Sequence, residues 1–293
     1  MAATTVDSDD VLRPPPAVGD VPAARGWDRG EVALVGGSAV AAAAWLAWSF
    51  WWTAEQSKVS PWLAMLAILA AFALGVGHAL TGTWKAVLID DRNKTSLSRL
   101  QLALCTALVL SAFATAFAWN RQADSPNPLA VEIPQESWVL MGISTASLVG
   151  STLIKVDQEQ RPSPLLDAPL ADLAAPPAAR RREVERALAA YNQEADGGLA
   201  RNADAAMARW TDMFKGEGVD NFLYLDLGKI QLFFFTFVLV RLYALAVGDR
   251  FAVVATGPDL FRFPAFDAEM LGLLGISHAG YLTSKAAKQP GAV

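Results

Sequence analysis

The residues best placed to do chemistry are polar or ionisable side chains set inside long apolar runs. Gln101 and Gln231 open two such runs, just past Arg99 and Lys229. An amide buried there needs partners, so both read first as interhelical hydrogen bonders and second as the lining of a polar vestibule. Arg241 is the one charge well inside an apolar run, and no run carries an aspartate or glutamate in its core. An arginine in that position marks a pore or an inter-subunit contact. It lies in the outer half of its run, however, and snorkelling to the far interface is the favoured reading. His78 and His278 suit a gate or proton relay by their ordinary titration range, but no carboxylate lies at a fixed spacing from either. They read first as interhelical hydrogen bonders. Gly142, Ala146 and Gly150 recur every four residues, as do Gly275, Ala279 and Thr283. Small residues at that spacing form a flat stripe on a helix, expected as a packing seam ahead of the wall of a solute path.

Other chemistries are excluded or unsupported. No glycine-rich phosphate loop followed by lysine, histidine-glutamate metal motif or serine elbow occurs, and the two Gly-Ile-Ser copies at Ser144 and Ser277 have no base at a fixed spacing. The chain has one cysteine, Cys105, and two histidines far apart, so neither an intrachain disulfide nor a metal site is expected, and no cofactor motif appears. A formal net charge of −5 argues against a nucleic-acid partner. The expectation is a protein that is not an enzyme.

These side chains are carried on a membrane architecture. The chain is 53% hydrophobic and only 18% charged, and its apolar residues are gathered in blocks. Val32 to Trp52 and Val59 to Trp84 are uncharged runs long enough to span about 30 Å of hydrocarbon as helices. Trp45, Trp48, Trp51, Trp52 and Trp62 crowd the turn between them, and Trp84 marks the opposite interface. Leu100 to Asn120, Ser137 to Ile154, Ile230 to Gly248 and Met270 to Ser284 follow. The predicted fold is all-α, a polytopic membrane protein of six spans.

The last four spans read as a parallel duplication of a two-helix unit. Leu97-Ser98-Arg99-Leu100-Gln101-Leu102 returns as Leu227-Gly228-Lys229-Ile230-Gln231-Leu232, Thr106 as Thr236 and Pro134 as Pro264. After a three-residue slip, Leu140 to Ser144 returns as Leu273 to Ser277, and Lys155 as Lys288. The expected organisation is a disordered tail over 1–30, a transmembrane hairpin over 31–84, a first repeat over 85–155, a soluble loop over 156–226 and a second repeat with the C-terminal tail over 227–293. Within the soluble loop, a proline-rich connector precedes two short amphipathic helices divided at Gly197-Gly198, the second bringing Trp210, Met213 and Phe214 to the interface.

Lysine and arginine number three, four, ten and two in the tail, second loop, fourth loop and C-terminus, against one, one and two in the intervening loops. The positive-inside rule then puts both termini in the cytoplasm of a bacterial inner membrane. With most polar mass on that side, the expected activity is anchoring or docking a cytoplasmic protein partner, with homo-oligomers allowed. The alternative is an oligomeric ion or small-solute channel.

Asp90-Asp91-Arg92-Asn93-Lys94, followed by Ser96 to Gln101, and Leu273 to Leu282 resemble a group of uncharacterised bacterial multi-pass membrane proteins, some of which accompany contractile injection systems or similar effector machinery. The resemblance covers about Trp84 to Lys288. It implies a partner-binding membrane component and supplies no catalytic or ligand residues.

Overall fold

The computed structural model describes residues 28–51, 57–123, 125–159, 186, 189, 193–196, 198–219, 221–253, 261–265 and 268–286. The tail before residue 28, the proline-rich connector and Lys288 lie outside them. Among the described residues six helices dominate: α1 (Arg29–Trp48), α2 (Val59–Thr81), α3 (Leu97–Gln122), α4 (Gln135–Glu159), α5 (Leu227–Ala252) and α6 (Ala268–Ala286). Four of them, α1 to α3 and α5, are long and apolar enough to cross a membrane. The other two are less apolar for a visible reason. The inward face of α4 carries Ser144, Ser147, Ser151 and Lys155, and that of α6 carries Ser277, His278, Tyr281 and Lys285, all buried.

α1 starts in a capping box: Asp28 Oδ1 accepts from Glu31 N at 2.7 Å, and Glu31 Oε2 accepts from Asp28 N at 2.9 Å. Trp45 at the far end of α1 donates its indole N–H to Pro61 O (2.7 Å), which closes the first hairpin. α3 and α5 start on one side of the molecule, sharing a cluster of Leu97, Met213, Leu232 and Tyr281. α4 and α6 end on that same side, where Lys285 Nζ donates to Ser151 Oγ.

A polar cap covers this side. The turn from Asp90 to Lys94 is closed by a β-bridge between Ile89 and Thr95, with Asp90 Oδ1 accepting from Arg92 N and Lys94 N (both 3.1 Å). Asn93 takes the left-handed conformation there, φ 57°, as asparagine tolerates better than most residues. Across from it, β1 (Gln193–Asp196) and β2 (Leu199–Asn202) pair antiparallel. Asn93 and Asn202 exchange side-chain to backbone hydrogen bonds of 2.9 and 2.7 Å, tying turn to hairpin.

The cap overturns part of the sequence expectation. The described residues are mostly helical, as expected, but a β-hairpin pairs 193–196 with 199–202 where an amphipathic helix is expected. Asp196 pairs with Leu199, so the two strands, and not two helices, flank this point of the chain; Gly197 lies outside the described residues. Met213 is buried beneath α3 and α5, and Phe214 packs edge-on against Phe233 of α5 at 5.1 Å. Of the three expected interface residues only Trp210 is exposed.

The opposite end is closed by aromatic packing. Trp62, Trp119, Tyr243, Phe251, Phe261 and Phe263 form one buried cluster with Leu108 and Val247. Asn120, fully buried, accepts from Phe261 N through Oδ1 at 2.7 Å and fixes the strand-like segment that precedes α6.

Candidate functional site

The feature that stands out physically lies where the cap meets the helix ends, and it is ionic. Glu217, in the connector between α4 and α5, has three cationic neighbours. Its Oε1 accepts from Lys229 Nζ of α5 (2.9 Å) and Lys285 Nζ of α6 (3.0 Å), while Oε2 lies 2.8 Å from Lys285 Nζ and 3.6 Å from an Arg92 guanidinium nitrogen. Gly216 makes this placement possible: a Cβ there would come within 2.2 Å of the Asn221 side chain, so only glycine fits the turn.

A second carboxylate repeats the pattern. Asp90 Oδ2 accepts from Lys155 Nζ of α4 at 2.6 Å and from Arg92 at 2.9 Å, and Arg92 links the two centres. Burial alone would push both carboxyls up. The neighbouring cations outweigh it, and both Asp90 and Glu217 are held well below the usual carboxylate range. Burial likewise opposes the Arg92 charge, but Glu217 and Asp90 raise its affinity for the proton.

Lys94, on the cap turn, shifts the opposite way to Arg92. It donates to Gln193 Oε1 at 3.1 Å, but burial, aided by the Arg92 charge, pulls its ammonium down to about 8 from 10.5. Between those values the unfolded chain binds more protons than the folded one, so this lysine makes stability rise with pH from about 8 to 10.5. Thermal unfolding measured across that range is expected to show the rise in wild type and a flatter profile in Lys94→Gln. Identical profiles would remove Lys94 as its source.

From this cluster a file of polar side chains runs into the bundle. On α4, Ser144, Ser147 and Ser151 share the face that ends in Lys155, and on α6, His278 and Tyr281 share the face that ends in Lys285. Gln101 closes the file: its Nε2 is 3.1 Å from Ser144 Oγ and 2.8 Å from His278 Nε2. Among the described residues, Gln101 Oε1, Ser147 Oγ, Thr236 Oγ1, Ser277 Oγ and His278 Nδ1 are buried without a hydrogen-bond partner. Unpartnered polar atoms in so dry a place cost free energy, and they favour entry of water or a small polar solute.

The structure thus brings together only some of the residues singled out from sequence. Gln101 and His278 meet in the file, as interhelical hydrogen bonding requires. Gln231, at the matching position of α5, is exposed instead. His78 has a carboxylate after all, with Nδ1 3.2 Å from Glu31 Oε1 of α1, and its ring lies tilted against Trp84, centroids 4.2 Å apart. Arg241 is exposed on the outside of α5. The small-residue stripes form no seam among the described residues: a Cβ added at Gly142 or Gly275 would meet nothing within 4 Å, and Ala146, Ala279 and Thr283 are exposed. Only Gly150 faces a neighbour, the Leu282 side chain, 3.3 Å from where its Cβ would lie. The ridge that does pack is the serine one, offset from the small residues by about 100° or more around the helix.

The charged cluster itself has no counterpart in the sequence reading, where its lysines and arginines orient the chain, align the repeat or carry the resemblance but are nowhere brought together. One trace of it was available. Lys155 and Lys285 are 130 residues apart, the same offset as Leu97 and Leu227, with no slip. Among the described residues no group of histidines, cysteines and carboxylates could hold a metal ion. No family model, curated protein or solved structure matches the chain.

Proposed function

We propose that this is a polytopic protein of the bacterial cytoplasmic membrane that holds a cytoplasmic protein partner on a cap clamped to its helix ends. On this reading all six helices cross the bilayer and both termini are cytoplasmic, as the distribution of lysine and arginine favours. The observation that carries the proposal is the burial of Glu217 among Lys229, Lys285 and Arg92. It makes the end of the largest soluble loop a fixed mount, so a load on the loop is transmitted to α5 and α6. The resemblance to membrane proteins that accompany effector machinery points the same way.

The duplication belongs to the same reading. Thr95 and Leu225 each close a β-bridged turn two residues before a helix, and they stand 130 apart. Glu132 and Arg262, also 130 apart, bridge to each other in parallel. Equivalent residues meet in this way across a two-fold axis along the membrane normal, which suits a parallel repeat.

Site-specific photo-crosslinking in native membranes tests the docking. Probes at the exposed cap positions Met207 and Glu194 are expected to trap one discrete cytoplasmic protein, and the adduct should vanish when 161–192 is deleted. A probe at Leu129, on the opposite side, should trap none of it. The same adduct from Leu129, or none from the cap, would sink the proposal.

A second reading, a channel or pore, is favoured by the buried polar file. In planar bilayers it predicts discrete conductance that Gln101→Leu abolishes. Conductance sensitive to Arg241→Leu instead would put the path between subunits, since that side chain lies on the outer surface. Silence of the wild type under varied voltage and pH leaves docking alone.

A further inference from the structure

A cavity of about 540 Å³ opens between α2, α3 and α4, and its two ends differ in chemistry. Its apolar lining is Leu69, Ala73, Leu102, Ala103, Leu110 and Leu148, from helices long and apolar enough to cross a membrane (α2 and α3) and from α4. The end toward the cap is lined by Asp90, Asp91, Arg99 and Lys155. These four charges cancel, but they are not equally engaged. Asp90 and Lys155 are buried and bonded to each other at 2.6 Å. Arg99 makes no ion pair among the described residues, and the Asp91 carboxylate is 57% exposed, its nearest cation 3.8 Å away. One cation and one anion therefore remain available beside the apolar slot.

We propose that this groove holds one membrane phospholipid whose headgroup carries both a phosphate and a primary amine, with an acyl chain along α3, the phosphate at Arg99 and the ammonium at Asp91. The available charges set the choice. A purely anionic headgroup would satisfy Arg99 but bring its negative charge against Asp91. A quaternary choline headgroup would match the charges but has no N–H to donate. The groove borders the polar file at Ser151 and Lys155, but Arg99 and Asp91, which take the headgroup, belong to neither the file nor the Glu217 clamp.

Native mass spectrometry of the full purified chain in detergent, titrated in turn with phosphatidylethanolamine, phosphatidylglycerol and phosphatidylcholine, tests it. Retention of phosphatidylethanolamine is expected to exceed the other two by about tenfold, the scale of one hydrogen bond to a charged group. Asp91→Asn should level the three lipids, Arg99→Gln should weaken all of them, and Ala107→Trp, which fills the groove, should abolish selective retention. Thermal unfolding of each variant separates lost binding from lost fold. Phosphatidylglycerol held as well as phosphatidylethanolamine by the wild type, an Asp91→Asn chain that keeps the preference, or no lipid retained at all would each overturn the assignment.

Discussion

Glu217→Gln is expected to lower the unfolding free energy by about 3–5 kcal/mol, the scale seen when one partner is removed from a buried ion pair. The substitution keeps the shape and removes only the charge. Lys229 and Lys285 would then sit buried beside Arg92 with Asp90 as the nearest buried carboxylate, and Asp90 is already engaged by Lys155 and Arg92. The cost comes from stranding those cations in a dry site, more than from losing an attraction. Equilibrium unfolding in mixed micelles measures it. An internal comparison is at hand in Glu132 and Arg262, 3.0 Å apart but 66% and 70% exposed. Glu132→Gln is expected to cost less than about 1 kcal/mol because water screens that pair. Equal effects at the two sites would show that the cap is not clamped by its charges, and the docking proposal would lose its supporting observation.

The ion cluster also marks where reading the sequence stops working. The apolar runs were legible because lipid-spanning helices need nothing beyond themselves to satisfy their backbone. Each expected run sits inside an observed helix or nearly so; Leu100 to Asn120, for example, falls within Leu97–Gln122. The last four observed helices, α3 to α6, extend beyond their expected runs, and their cap-side ends are covered by protein. Residues such as Lys155 and Lys229, which look like loop charges, are helical and buried. Their partner Glu217 lies in a connector with no periodicity, and nothing local distinguishes it from the other carboxylates there.

Gln101 and Gln231 make the same point within one motif. Both open a helix at the same offset, yet Gln101 faces α4 and α6 while Gln231 faces outward. Matching offsets do not give matching surroundings: α2 packs along α3, where Trp62 donates to Ser111 Oγ, and reaches α5 at the aromatic end, where Trp62 meets Phe251. The hairpin at 193–202 escaped for a different reason. Strands of four residues are too short to show an alternation against an alanine-rich background, and the two glycines suit a helix break as well as a turn. Glu31, the partner of His78, sits at the seam between tail and first span, where a charge is easily assigned to the tail.

At the other end of the bundle, Phe251→Ala is expected to destabilise the protein by about 3–5 kcal/mol, the usual range for emptying a buried phenyl site. Phe251 is fully buried; its ring stacks on Phe261 at 4.5 Å and lies 5.7 Å from Trp62 and 6.4 Å from Trp119. Its backbone oxygen accepts from Lys58 N at 2.8 Å, and alanine keeps that bond, so the loss isolates ring packing. Phe251→Leu, which leaves a smaller cavity, should cost distinctly less. The same pair of variants bears on function. The aromatic cluster stands between the polar file and the far side of the molecule, so a conducting path must pass it. If the file carries ions or solute, Phe251→Ala should leak in a planar bilayer where Phe251→Leu leaks less, and the leak should disappear on adding Gln101→Leu. If the file only joins helices, Phe251→Ala loses stability and stays electrically silent, because a cavity closed on its inner side by bonded side chains opens no route.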